Sequence, residues 1–147
     1  MRLLHWFWAV PVIALALPLQ SPPVVYPDED GRTTLSAYVE YFEDPSGELT
    51  IDAVRSADLA DQFVSHAGPG VVNFGLSQSA YWLRFTLAGL PEQDSRYLLE
   101  AVYSSLISVD LYPPGTQQAQ RSGYNYAVTE RPWPHRNFVF SIDLIDT

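Results

Sequence analysis

The sequence predicts a mainly β domain, an antiparallel β-sandwich or jelly roll, and three observations carry that expectation. Beyond Gly70 the chain is a series of short β-rich runs. Turn signals built from Pro and Gly separate these runs at regular spacing, and within them apolar and polar residues alternate with a period of two. A length of 147 residues accommodates one such domain with a core of moderate size.

Taken in chain order, the first element is an N-terminal signal helix. Arg2 supplies a positive flank and Trp6 to Leu17 an apolar run, while Ala14 and Ala16 form an A-x-A-like pair before Pro18 and the S-P-P of Ser21–Pro23 stop the helix. Residues 1–20 are therefore expected to be an export signal, or else an uncleaved membrane anchor, which in both cases puts the remainder outside the cytoplasm. Residues 21–33, Pro-rich and acidic with P-D-E-D-G near their end, read as a spacer. The domain is expected over residues 34–147.

Its first strand is expected at Thr34–Phe42, where Leu35, Ala37, Val39 and Tyr41 alternate with polar partners before the E-D-P-S-G turn. One short helix follows within Leu49–Phe63, with Thr50 or Asp52 as its cap and Val54, Leu59 and Phe63 at helical spacing. Strands are then expected at Val71–Gly75, Tyr81–Leu87, Tyr97–Tyr103, Ile107–Tyr112 and Asn137–Leu144, bounded by L-P-E-Q-D, P-P-G-T and R-P-W-P-H.

Period two also divides the faces. It points Leu83, Phe85, Leu87, Leu99, Ala101, Val109, Leu111, Phe138, Phe140 and Ile142 inward. Trp82, Arg84, Thr86, Glu100, Asp110, Tyr112, Asn137 and Ser141 go to the opposite face. Two readings of that second face stay open. Arg84 pairs with Glu100 or Asp110 across neighbouring strands and fixes register. Alternatively, the rings and the guanidinium fork bind a small polar ligand such as a sugar or a carboxylate. Trp133, held between two prolines in R-P-W-P-H-R-N, either caps the core or joins His135 and Arg136 as a rim over that face.

Other chemistry finds little support. Eight Arg and no Lys stand against seventeen Asp plus Glu, for a net charge of −9, so nucleic acid is not an expected partner. Without Cys there is no disulfide, thiolate site or cysteine nucleophile. His5, His66 and His135 lack metal-ligand spacing, and Ser104 and Ser105 lack a G-x-S-x-G frame. A glycosidase-like pair could be drawn from Glu100 and Asp110, but a carboxylate beside Arg84 stays ionised rather than becoming an acid. No cofactor, metal or catalytic residue is expected.

Four blocks in order, Y-F-E-D-P-S-G-E-L-T-I-D, V-N-F-G-L-S-Q-S-A-Y-W-L-R-F-T-L, Y-L-L-E-A-V-Y-S-S-L-I-S-V-D-L-Y and R-P-W-P-H-R-N-F-V-F-S-I-D-L, carry a resemblance. Together they resemble the type-2 extracellular sensor domain of bacterial seven-transmembrane receptors with diverse intracellular signalling modules. The resemblance implies a periplasmic jelly roll similar to carbohydrate-binding domains, a carbohydrate-like ligand, and a seven-helix membrane region with a cytoplasmic output beyond it. Matching positions are Asn73, Phe74, Gly75, Tyr81, Trp82, Leu83, Arg84, Glu100, Asp110, Tyr112, His135, Arg136, Asn137 and Phe138. The family usually continues for at least one strand past the last block, so the chain is expected to be a fragment or truncated frame with an open sheet edge. The expected ligand-binding set is Trp82, Arg84, Glu100, Asp110, Tyr112, Trp133, His135, Arg136 and Asn137. The alternative from another class is a periplasmic protein-interaction or dimerisation module, docking a partner receptor domain or its own copy.

Overall fold

The computed structural model describes residues 24–25, 32–66, 70–87 and 95–144; the signal helix expected over residues 1–20 lies outside them. The described chain is mainly β. Its strands are β1 (Val24–Val25), β2 (Glu40–Asp44), β3 (Val64–Ser65), β4 (Ala80–Arg84), β5 (Thr86–Leu87), β6 (Ser95–Ala101), β7 (Val109–Leu111), β8 (Gln120–Ser122) and β9 (Phe138–Leu144). Two single-turn helices, α1 (Ile51–Val54) and α2 (Ala57–Ala60), follow β2.

Among the described residues these strands form four small sheets: β1–β5, β3–β2–β4, β6–β9 and β7–β8. They do not close on one another. All pairs are antiparallel except β1 with β5, where Val24 and Val25 run beside Thr86 and Leu87. Val25, from the stretch read as a spacer, is buried at 1% exposure.

Several expected elements change. The strand expected from Thr34 opens instead as a 3₁₀ turn over Leu35–Ala37, and the extended segment starts at Glu40. The single helix is two, broken at Arg55–Ser56. Thr50 caps the first by accepting from the Ala53 N–H at 3.4 Å. Val71–Gly75 is not a strand: Asn73 Oδ1 accepts from the Gly75 N–H at 2.8 Å, and Gly75 sits at φ 69°, a turn that takes the chain out of extended geometry. Gln120–Ser122, in a polar segment without a period-two signal, is a strand because its partner Val109–Leu111 is.

The D-P-S-G turn after β2 is organised by Asp44. Its Oδ1 accepts from the Ser46 hydroxyl at 2.6 Å and from the Ser46 and Gly47 N–H groups at 3.0 Å each, and Oδ2 accepts from the Leu49 N–H at 3.1 Å. Asp44 is 2% exposed, and four donors satisfy a carboxylate that would otherwise be costly to bury. These bonds hold its pKa below the usual carboxylate value, with Ser46 the largest contribution and the backbone donors adding to it against the opposing effect of burial.

The core lies along β9, where Phe138, Val139, Phe140 and Ile142 are buried with Val25, Val39 and Val54. Each buried Phe contributes on the order of 1.5–3 kcal/mol from removal of apolar surface from water. The inward positions expected on β6, β7 and β9 hold: Leu99, Ala101, Val109 and Leu111 are less exposed than Glu100 and Asp110. Polar ties join the small sheets. Arg55 donates to the Thr116 and Pro113 carbonyls at 2.7 and 3.1 Å, docking the end of α1 on the turn between β7 and β8. Gln120 Nε2 donates to the Ser141 carbonyl at 2.8 Å.

Candidate functional site

On β4 the expected division of faces is reversed. Register places Arg84 opposite Glu40 and Trp82 opposite Phe42, on the face that buries Glu40 and Asp44, while Leu83 is 45% exposed on the other side. The reason is the buried Glu40. A carboxylate at 5% exposure needs a cation, and the β4 position facing it on the same side is Arg84. On β5 the expected parity returns, with Leu87 less exposed than Thr86.

Arg84 therefore pairs with neither Glu100 nor Asp110. Its Nε donates to Glu40 Oε2 at 2.7 Å, and its guanidinium carbon lies 4.2 Å from the centre of the Phe63 ring. The side chain remains 35% exposed. Trp82 faces Tyr112 with ring centroids 5.9 Å apart and an interplanar angle of 32°. The indole Nε1 is buried with no hydrogen-bond partner among the described residues. Trp82, Arg84 and Tyr112 thus form one group, framed by Phe63 and Glu40.

A second group sits where β6 ends and β9 begins. Asn137, expected outward, is buried, because its Nδ2 donates to Glu100 Oε1 at 2.7 Å. Its backbone N–H donates to His135 Nδ1 at 3.1 Å, which makes Nδ1 an acceptor and assigns the ring proton to Nε2. Glu100 Oε1 lies 3.8 Å from the same Nδ1. Trp133 is 46% exposed and so does not pack as a core cap, and Arg136 beside it is exposed too. The loop is held from within by Arg131, which donates from Nε to the Tyr126 carbonyl and from Nη1 to the His135 carbonyl, both at 3.2 Å, with its guanidinium 5.0 Å from the Phe138 ring centre.

Asp110 belongs to neither group. It faces Arg121 across β7 and β8 at 3.5 Å and accepts from the Ser108 hydroxyl at 3.3 Å. Behind β4, Phe74 stacks on Tyr81 at 3.9 Å with planes 2° apart and meets Tyr41 at 4.9 Å, while Glu43 accepts from Ser79 and Tyr81. The neighbours that the sequence did not place at the site are Glu40, Phe63, Arg121 and Arg131. Of these, Arg131 alone carried a local signal, as the first residue of the R-P-W-P block. No group of three His, Asp or Glu residues among the described residues could hold a metal ion.

The family model of 7TMR-DISM extracellular 2 matches residues 36–147, every strand from β2 to β9 included. The chain belongs to this family. No curated protein and no solved structure matches it. Membership in an extracellular family of 7TMR-DISM receptors puts the domain outside the cytoplasm, as part of a membrane receptor. None of the described helices is long and apolar enough to cross a membrane.

Proposed function

We propose that this 7TMR-DISM extracellular domain is a periplasmic sensing module that binds a small polar, carbohydrate-like ligand on the Trp82, Arg84 and Tyr112 face. The observation that carries this reading is the buried indole N–H of Trp82 without an acceptor, beside a partly exposed guanidinium and a second ring. A buried donor left unpaired costs about 1–3 kcal/mol, and an arriving ligand oxygen removes that cost. A sugar hydroxyl supplies the acceptor while its apolar face covers the rings. The Glu100, His135 and Asn137 group, with Trp133 and Arg136, extends the polar surface available to a longer ligand.

In this reading the module does no chemistry, adopts the jelly roll similar to carbohydrate-binding domains, and passes occupancy onward through β9 towards a membrane region. Transfer requires the ligand to favour one arrangement of domain and membrane over another, since equal affinity for both shifts nothing.

Calorimetry against a panel of glycans and small acids tests the reading with Trp82→Phe and Arg84→Lys. Trp82→Phe keeps a ring and removes the N–H, and Arg84→Lys keeps the charge opposite Glu40. Heat from the wild type that is lost in both variants supports the site. Binding that survives both substitutions, or wild-type silence across the panel, sinks it.

A further inference from the structure

A second surface is built by the loops after β6 and β8 and uses none of Trp82, Arg84 or Tyr112. The loop after β6, residues 102–108, and the loop after β8, residues 123–126, are locked side by side. The Tyr124 N–H donates to the Leu106 carbonyl at 2.8 Å and the Asn125 N–H to the Ile107 carbonyl at 3.2 Å. Each loop is also closed on itself, with Leu106 N–H to the Tyr103 carbonyl at 3.4 Å and Tyr126 N–H to the Gly123 carbonyl at 3.2 Å. Yet Val102, Tyr103, Ile107 and Tyr124 stand 67% to 73% exposed from this fixed framework. Ordered loops that present large apolar side chains to water mark interaction surfaces.

The charge distribution selects the occupant. From Ala101 to Thr129 the only charged residues are Asp110 and Arg121, and these face each other at 3.5 Å. The net charge of −9 is therefore carried entirely by the rest of the chain. Two copies of so acidic a chain repel through most orientations, and a stretch that carries no net charge of its own is the part of it that adds least to that repulsion. Its Tyr, Ser, Asn and Gly content gives rigid ring contacts with adaptable hydrogen bonding, as in loop-built binding surfaces. The hydrogen bonds between the loops lower the ordering cost of association.

We propose that Val102, Tyr103, Ile107 and Tyr124 form a self-association surface through which two copies of this chain pair about a two-fold axis. In such an isologous contact each loop meets its own equivalent or its neighbour's.

The absence of Cys from the natural sequence makes the test clean, because a single introduced thiol is the only one present. The purified full chain carrying Ser105→Cys or Asn125→Cys is mildly oxidised and compared with Glu48→Cys, an exposed control just after the D-P-S-G turn. The expected result is a disulfide-linked species of twice the chain mass from the loop variants and several-fold less from the control. Adding Ile107→Glu or Tyr103→Asp, both at exposed positions that leave the core untouched, abolishes the product. Trp82→Phe, which weakens the ligand face, leaves it unchanged. Equal yields from loop and control thiols overturn the proposal, as does a product that persists with a charge at both apolar positions. Sedimentation of the wild type as a monomer at every concentration overturns it too. So does its recovery on neutral lipid vesicles in place of pairing, which would assign the surface to a membrane.

Discussion

The Nε of Arg84 donates to Glu40 Oε2 at 2.7 Å across paired strands, with Phe63 lying under the guanidinium. This contact fixes the register of β2 against β4 and turns Trp82 to the same side. Removing the cation alone leaves the Glu40 carboxylate, whose side chain is 7% exposed, without its partner. Arg84→Met is therefore expected to cost about 2–4 kcal/mol, somewhat below the range for fully buried pairs because Arg84 itself is partly hydrated. The double variant Glu40→Leu with Arg84→Met is expected to recover most of the loss. Urea midpoints for the two single variants and the double variant decide it: strict additivity denies coupling between the two residues.

Asp44 makes the domain sensitive to acid. Its pKa is depressed by the Ser46 hydroxyl first and by the Leu49, Gly47 and Ser46 N–H groups after it, while burial acts in the opposite direction. A carboxyl group whose folded pKa lies below its unfolded value of about 3.9 contributes stability that is complete above that value. The contribution is lost as pH falls through the folded pKa. Asp44→Asn should therefore lower the urea midpoint at pH 7 and flatten its decline on the acid side below about pH 4. Parallel acid limbs for wild type and variant would remove Asp44 from the explanation.

The loop that presents Trp133, His135 and Asn137 depends on Arg131, whose two bonds to main-chain carbonyls and its place over Phe138 tie residues 126 to 138 together. Arg131→Ala should cost about 1–3 kcal/mol through the lost hydrogen bonds and ring contact. Hydrogen exchange should rise across residues 131–137 while the β6–β9 pairing keeps its protection. If the two segments lose protection together, Arg131 supports the core and has no special hold on the loop.

The parts legible in the sequence were those where a strand has one wet face. On β6 and β7 polar and apolar residues alternate against a single core, so period two places Glu100 and Asp110 outward as found; on β9 it places Phe138 and Phe140 inward, but Asn137 and Val139 on the other side are buried as well. Failure came at β2 and β4, where the more buried face carries a glutamate and an arginine and the more exposed face carries Leu83. Alternation records polarity, and a buried ion pair inverts it. Whether Arg84 would meet Glu40, Glu100 or Asp110 depended on which strands pair, which is information of long range that no local pattern carries. Val24–Val25 and Gln120–Ser122 were missed for the same reason: each is extended because a partner strand lies beside it.

Gly123 sets the join between the two exposed loops. Its φ of +136° is one that side chains rarely adopt, and a Cβ there would meet the Ile107 carbonyl oxygen and lie 2.7 Å from the Ser108 Cα, both in the backbone. Neither atom can swing aside as a side chain could, so Gly123→Ala must push residues 106–108 away from 123–125. The two hydrogen bonds that cross this join, from Tyr124 and Asn125, are then lost. The expected penalty is about 2–4 kcal/mol, combining backbone strain with two unpaired main-chain groups at each loop. Ala127→Gly, at an exposed position a few residues on, should change stability by less than about 1 kcal/mol and serves as the reference. Exchange protection of the Tyr124 and Asn125 amides reads the join directly: it should vanish in Gly123→Ala while β9 remains protected, and amides that stay protected would show that the loops tolerate a side chain where the geometry leaves no room for one.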